Sequence, residues 1–331
     1  MKNKRYICYG IAVVIVILFL CNLFYGSVSI PFSAVADIFL GRAVERSSWT
    51  SIVLHSRLPQ AVTALLGGSA LAVCGLMLQT LFHNPLAGPS ILGVSDGANL
   101  GVAVVMLYSG GVISTVLAAF TGALAVLALI LYLSSRVKSN VLVLIIGMMI
   151  GYLASSGISV LNSFASSESI RSYVLWGLGS FSNVSSRQIF FYGIAVLTGL
   201  SGSVLLVKPL NILLLGEHYA SNLGINIKRV RMLILVITGF LTALVTAFCG
   251  PISFIGLAVP HVARIVLGTS NQQLLLPATL LCGAATALLC NLMTLLPLWN
   301  KLLPLNAVTP LLGAPVIIYV ILNKKNIRYF N

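Results

Sequence analysis

Runs of about twenty apolar residues recur along nearly the whole chain. Each is long enough to cross lipid as a helix, because ~20 residues rising ~1.5 Å apiece match a hydrocarbon core of ~30 Å. The runs lie near 6–25, 58–81, 91–109, 112–133, 141–165, 189–207, 231–250, 252–268, 274–296 and 306–323, with 252–268 the least pronounced. Only 7% of the 331 residues are charged and 59% are hydrophobic, against about 25% charged in an ordinary soluble domain. A water-exposed globule of that composition could not cover its own surface. Soluble enzyme, disordered chain and disulfide-rich secreted domain are excluded. The expectation is an all-α polytopic membrane protein with about ten transmembrane helices in a single membrane domain, 1–331.

The net charge of +14 would suggest nucleic acid in a soluble protein. Here the basic residues sit between apolar runs, where they set topology and meet lipid headgroups, so no nucleic-acid partner is expected. With both termini cytoplasmic, the inner segments hold Lys2, Lys4, Arg5, Arg136, Lys138, Lys208, Lys228, Arg229, Arg231, Arg264, Lys324, Lys325 and Arg328. The outer segments hold only Arg42, Arg46, Arg57, Arg171, Arg187 and Lys301. This bias predicts the orientation. The first run follows basic residues without a small-residue cleavage pattern and reads as a retained anchor. Residues 26–56 are mixed in polarity and read as an outer-face interfacial segment, with a short helix over Phe32–Phe39. Runs 2–5 and 7–10 begin on opposite sides, which suits an inverted repeat.

Acidic residues number five: Asp37, Glu45, Asp96, Glu168 and Glu217. Ion-coupled carriers place ionisable groups at mid-membrane, and only Asp96 falls in a run, so an ion-coupled secondary transporter is disfavoured. His55, His83, His218 and His261 have no ligand spacing, and no metal site is expected. Cys8, Cys21, Cys74, Cys249, Cys282 and Cys290 form no C-x-x-C pair and read as packing residues. No H-E-x-x-H or G-x-S-x-G occurs, so no catalytic residue is expected. No phosphate-binding loop of the G-x-x-x-x-G-K-[ST] type occurs either. An ATP-driven role would need a separate ATPase holding ATP and Mg, with no cofactor in this chain.

Such a subunit needs a docking surface. The longest inner loop, 208–231, carries G-E-H-Y-A-S-N-L-G from Gly216 to Gly224. Glu217 suits a helix start and Gly224 a helix stop. Ala220 would leave a low spot on the surface, with Tyr219 and Leu223 supplying apolar contact. The alternative is an ordinary connecting loop.

This segment resembles the E-x-x-A…G coupling motif of importer permeases of the ATP-binding cassette class. R-L-P-Q-A-V-T-A-L-L-G-G-S-A-L-A-V-C-G-L-M-L-Q-T-L-F-H-N-P-L-A-G-P-S-I-L-G-V-S-D-G-A (Arg57 to Ala98), G-P-I-S-F-I-G-L-A-V-P-H-V-A-R (Gly250 to Arg264) and L-L-G-A-P-V (Leu311 to Val316) closely resemble the FecCD family, which imports iron–siderophore complexes, heme and cobalamin. The resemblance implies a homodimer in the bacterial inner membrane with its path at the two-fold interface. It also implies two ABC ATPase subunits on the cytoplasmic face and one periplasmic substrate-binding protein outside. The cargo reading is an iron chelate (siderophore or heme), with cobalamin as the alternative.

Residue by residue, the resemblance puts Asn84 and Pro85 at the cytoplasmic gate and Ser139 and Asn140 at the family's other gate segment; simple turn chemistry is the competing account. Pro260, His261 and Arg264 resemble a block near the ATPase-facing side, although a phosphate or lipid headgroup contact fits the P-H-x-x-R spacing equally. Trp176, Gly177, Gly179 and Ser180 resemble an outer-side block. Gly93, Gly97 and Gly101 read as close helix packing, and Asp96 beside them as structural. Arg57 matches a family position that docks the binding protein. The chain departs from the family at Gln60 and Leu295, where Arg is usual, and at Asn291 and Leu302, where acids are common. Lys301, Arg42, Arg46 or Arg171 would have to supply the missing outer charge.

Overall fold

The computed structural model describes residues 2–108, 114–137, 139–295 and 303–322. Lys138, Lys301, Leu302, Lys324, Lys325 and Arg328 lie outside the described residues, as do the side chains of Lys2, Lys4 and Arg5. Every predicted run forms a helix. Among the described residues seven helices are long and apolar enough to cross a membrane, and a pair bent by 51° makes an eighth where the pair counts as one span. The remaining two runs form shorter apolar helices, Val94–Tyr108 and Ile255–Leu267. A 13-residue helix rises only ~20 Å, short of the hydrocarbon thickness, so the weak 252–268 signal reflects a short element.

In chain order, α1 is Lys2–Phe24, α2 Phe32–Phe39 and α3 Ser47–Ile52. A π-helical turn, Val53–Arg57, carries α3 into α4, Leu58–Phe82. The second span therefore begins ten residues earlier than the 26–56 segment implied, as one 36-residue helix Ser47–Phe82. Pro59 does not stop it, because proline is tolerated in a first helical turn. Next come α5 (Val94–Ala103, continued by a π turn to Tyr108), α6 (Thr115–Arg136), α7 (Asn140–Phe164) and α8 (Ser167–Gly177). The bent pair is α9 (Ile189–Leu205) and α10 (Val207–Leu213), followed by α11 (Glu217–Asn222). Four helices close the chain: α12 (Ile227–Cys249), α13 (Ile255–Leu267), α14 (Gln272–Leu295) and α15 (Leu305–Leu322).

The two halves match element by element. In the first, long α4 stops at His83 in the left-handed region (φ 47°), an irregular stretch follows, then short α5 and long α6 and α7. In the second, long α12 stops at Gly250 (φ 74°), an irregular stretch follows, then short α13 and long α14 and α15. The halves also exchange partners: α4 packs chiefly on α14 and α13, while α12 packs chiefly on α6 and α4. α4 and α12 are the two most buried spans, at 83% and 72%, whereas α1 is 11% buried.

Close approach of backbones makes this packing possible. A Cβ added at Gly75 in α4 would sit 1.6 Å from the Gly256 carbonyl oxygen in α13. Added at Gly68, it would sit 2.4 Å from the Gly283 oxygen in α14. The Gly93, Gly97 and Gly101 series packs as expected, against Gly147, Gly122 and Ala118 respectively. Where solvent offers no hydrophobic gain between helices, such contacts supply van der Waals attraction. Gly75→Ala must separate α4 from α13. It should cost about 3 kcal/mol, the upper end for an overpacked core, read as a lowered melting temperature in detergent, whereas Gly10→Ala, where nothing lies within 4 Å, should change nothing.

Candidate functional site

The candidate residues gather at the end of α4 that holds Gln79 to His83. The helix stops there because His83 turns left-handed, with its own ring Nε2 2.8 Å from the Leu213 carbonyl at the end of α10. Asn84 then closes a tight turn: its Oδ1 accepts from the Leu86 N–H at 2.9 Å, and its carbonyl accepts from Ala87. This is the local turn chemistry of an Asn-Pro pair. Pro85 is not isolated, since its carbonyl accepts from His261 Nε2 at 2.7 Å.

His261 and Arg264 therefore do not face a partner or a headgroup. They are 3% and 2% exposed, turned from α13 into the body of the bundle. Arg264 Nη1 donates to Gln79 Oε1 at 2.6 Å, and Gln79 Nε2 donates to the Leu257 carbonyl at 3.1 Å. The i, i+3 spacing does put both on one face, but that face is the internal one. From α14, Gln272 Nε2 reaches Thr80 Oγ1 at 3.2 Å. Three neighbouring elements, α10, α13 and α14, thus meet the end of α4 through polar contacts.

A further tie leads to α11. Gly216 enters this six-residue helix at φ 99° and Gly224 leaves it at φ 81°, with Ile225 N–H returning to the Ala220 carbonyl at 3.1 Å. Tyr219 and Leu223 are 68% and 62% exposed. Ala220 differs from expectation. It is no low spot on the surface but fully buried in the apolar core, and its small side chain lets α11 lie close against the bundle. Glu217, in the first turn, accepts from Asn140 Nδ2, and the same Nδ2 donates to the Leu81 carbonyl at 2.9 Å. Asn140 and Glu217, assigned on sequence to different roles, are direct partners. Ser139, the residue before α7, is exposed and makes no capping bond.

Arg231 completes the group and escaped the sequence reading, which used it only as a topological charge. It is 5% exposed, one turn into α12, with Nη2 3.9 Å from Glu217 Oε1 and Nη1 donating to the Val137 carbonyl at 3.1 Å. Its signal was present as a basic residue inside an apolar helix, which demands an internal partner.

At the opposite end of α4, Arg57 also departs from expectation. It is buried, and its guanidinium donates to the carbonyls of Leu23 and Phe24 at 2.8 Å each and to that of Val28. It satisfies the chain leaving α1. The two family departures Gln60 and Asn291 turn out to be one. Gln60 Nε2 donates to Asn291 Oδ1 at 2.9 Å, and Asn291 Nδ2 donates to Asn22 Oδ1 at 2.7 Å. A neutral amide chain therefore joins α4, α14 and α1. Arg42 is exposed and pairs with Asp37 at 3.4 Å, while Arg46 lies over the Trp49 ring at 5.5 Å. Among the described residues no three His, Cys, Asp or Glu side chains converge as metal ligands. Arg57→Met should remove three donors and cost about 2–3 kcal/mol, the scale of buried acceptors left without partners. Thermal unfolding in detergent checks this, and the salt dependence of binding-protein affinity should stay as in the wild type.

Residues 14–323 match the model of the FecCD transport family. The vitamin B12 import system permease protein BtuC of Klebsiella pneumoniae subsp. pneumoniae is 33% identical over 331 residues, covering 98% of this chain and 95% of its own. That of Serratia proteamaculans is 34% identical over 280 residues, 83% of each chain. A solved metal-chelate type ABC transporter in an inward-facing conformation superposes with a TM-score of 0.84 at 30% identity, covering 97% of this chain and 99% of that one. PsaBC from Streptococcus pneumoniae in complex with Fab shares the fold alone, with a TM-score of 0.55 at 16% identity over 86% of this chain and 94% of that one. A family model spanning nearly all the described helices, and relatives alike end to end, carry one conclusion: this chain belongs to the FecCD transport family, as a multi-pass permease subunit of an ABC importer.

Proposed function

We propose that the chain works as a homodimer in the bacterial inner membrane, with a binding protein outside and two ATPase subunits docked on α11 from the cytoplasm. The observation that carries this is the build of α11. It presents Tyr219 and Leu223 outward, while Glu217 is rooted in the bundle through Asn140 and Arg231. An element that exposes apolar side chains and is anchored inside can take force from a partner and deliver it to the helix ends. ATP and Mg belong to the partner, and this chain makes and breaks no bonds of the cargo. The turn at Asn84 and Pro85, with Ser139 and Asn140 beside it, forms the cytoplasmic gate.

The cargo is an intact metal chelate, read first as an iron siderophore or heme. The long buried spans carry few fixed charges, which suits a bulky chelate over a bare ion. Cobalamin is the second reading, favoured by the vitamin B12 permeases among the relatives. Proteoliposomes holding the permease, its ATPase and its binding protein separate the two. Uptake of a radiolabelled ferric chelate that needs ATP and survives a proton ionophore is the expected result, and uptake of labelled cyanocobalamin alone would transfer the assignment to the second reading. Uptake that stops with the ionophore and persists without ATP would return the chain to the ion-coupled class.

Docking has its own test. Tyr219→Asp with Leu223→Asp should cut ATPase retention on the tagged permease at least about tenfold, the loss of roughly 1.4 kcal/mol or more of binding, without affecting insertion.

A further inference from the structure

We infer that Asn140 is the positioning residue through which α11 controls the end of α4. The inference rests on the reading of α11 as the ATPase docking element, and adds how its displacement reaches the gate. Asn140 is the first residue of α7, and its single amide nitrogen spends both protons on two different elements. One goes to the Leu81 carbonyl in the last turn of α4, the other to the Glu217 carboxylate on α11. Leu81 lies two residues before the left-handed His83, which the Asn84–Pro85 turn follows. The amide is therefore a direct polar path between α11 and the turn assigned to the gate, beside the Leu213 carbonyl that Gly216 N–H and His83 share.

The two bonds are unequal. A hydrogen bond to an ionised carboxylate is roughly twice as strong as one between neutral groups, so the Glu217 link outlasts the Leu81 link under load. Arg231 reinforces the asymmetry. It faces Glu217 at 3.9 Å and holds the Val137 carbonyl at 3.1 Å, so the segment entering α7 is fastened to the α11 and α12 side at two points. When α11 moves, Asn140 and the start of α7 travel with it. The Leu81 carbonyl is the contact that opens, and the turn at Asn84 and Pro85 is released from that side. His261 on the Pro85 carbonyl remains as the opposing restraint.

A residue that only stabilised the fold would, when altered, lower transport and hydrolysis together. A positioning residue changes their ratio. The experiment uses the full complex of permease, ATPase and binding protein in proteoliposomes, and compares wild type with Asn140→Ala and Asn140→Asp. The second keeps the size of the side chain but cannot donate, and turns a carboxylate towards Glu217. The expected result is ATPase co-purification as in the wild type, continued ATP hydrolysis, and cargo delivered per ATP lowered at least about fivefold, the low end of a typical coupling free energy. Glu217→Gln, which keeps an acceptor oxygen for Asn140 but loses the charge, should give a smaller fall. An unchanged ratio in both Asn140 variants, or uptake and hydrolysis declining in parallel, would overturn the inference. If Asn140→Ala does not fold, Asn140→Asp decides. Failure of the underlying reading looks different: the Tyr219 and Leu223 variants would keep their ATPase.

Discussion

Hydrocarbon offers no partner to a backbone carbonyl, so every place where a membrane helix stops must be satisfied from within the protein. This constraint organises the polar side chains of the bundle. Arg57 serves the end of α1, Asn140 the end of α4, and His83 the end of α10. His261 serves the Asn-Pro turn, Gln79 the Leu257 carbonyl of α13, and Arg231 the segment before α7. Asn306 donates to the Gly177 and Pro251 carbonyls and accepts from Ser253, joining the irregular stretches after α8 and α12. Residue types that usually mark a binding site are spent here on satisfying the carbonyls of broken helices.

The same constraint explains why the breaks sit where they do. Each half needs one short helix flanked by irregular backbone, and such backbone is tolerated at membrane depth only where protein surrounds it. Exchange of partners between the halves provides that surround: each irregular stretch lies against elements of the other half. At Gly256 an added Cβ would meet the Pro89 ring at 2.6 Å. The glycine contacts of α4 are therefore part of the same solution as its polar ties.

The sequence made the helices legible because hydrophobic length is a strong signal; the short α2 has the bounds its apolar stretch suggested, and α11 starts at Glu217 and ends just before Gly224. Roles read from exposure fared differently. Arg57, His261 and Arg264 look like surface chemistry on a linear chain, yet all three point inward, because a charge near a helix end can serve a carbonyl as readily as a ligand. Ala220 was legible as small but not as buried. The pairing of Asn140 with Glu217 spans 77 positions, and Gln60 with Asn291 spans 231. No periodicity encodes such separations; only the packing of α4 against both halves brings them together.

The uninterrupted rod from Ser47 to Phe82 is 36 residues long, about 54 Å at 1.5 Å per residue, against a hydrocarbon slab of ~30 Å. Some 20 Å of it must stand clear of the slab or be taken up by tilt. A lever of that length cannot swing at one tip without answering at the other. The π turn at Val53–Arg57 is the one wide coil along it, and Arg57 bolts that coil to the first helix. Strain arriving from the Leu81 tip would thus collect at a fixed fulcrum on the far leaflet, coupling the two faces of the membrane mechanically through a single shaft.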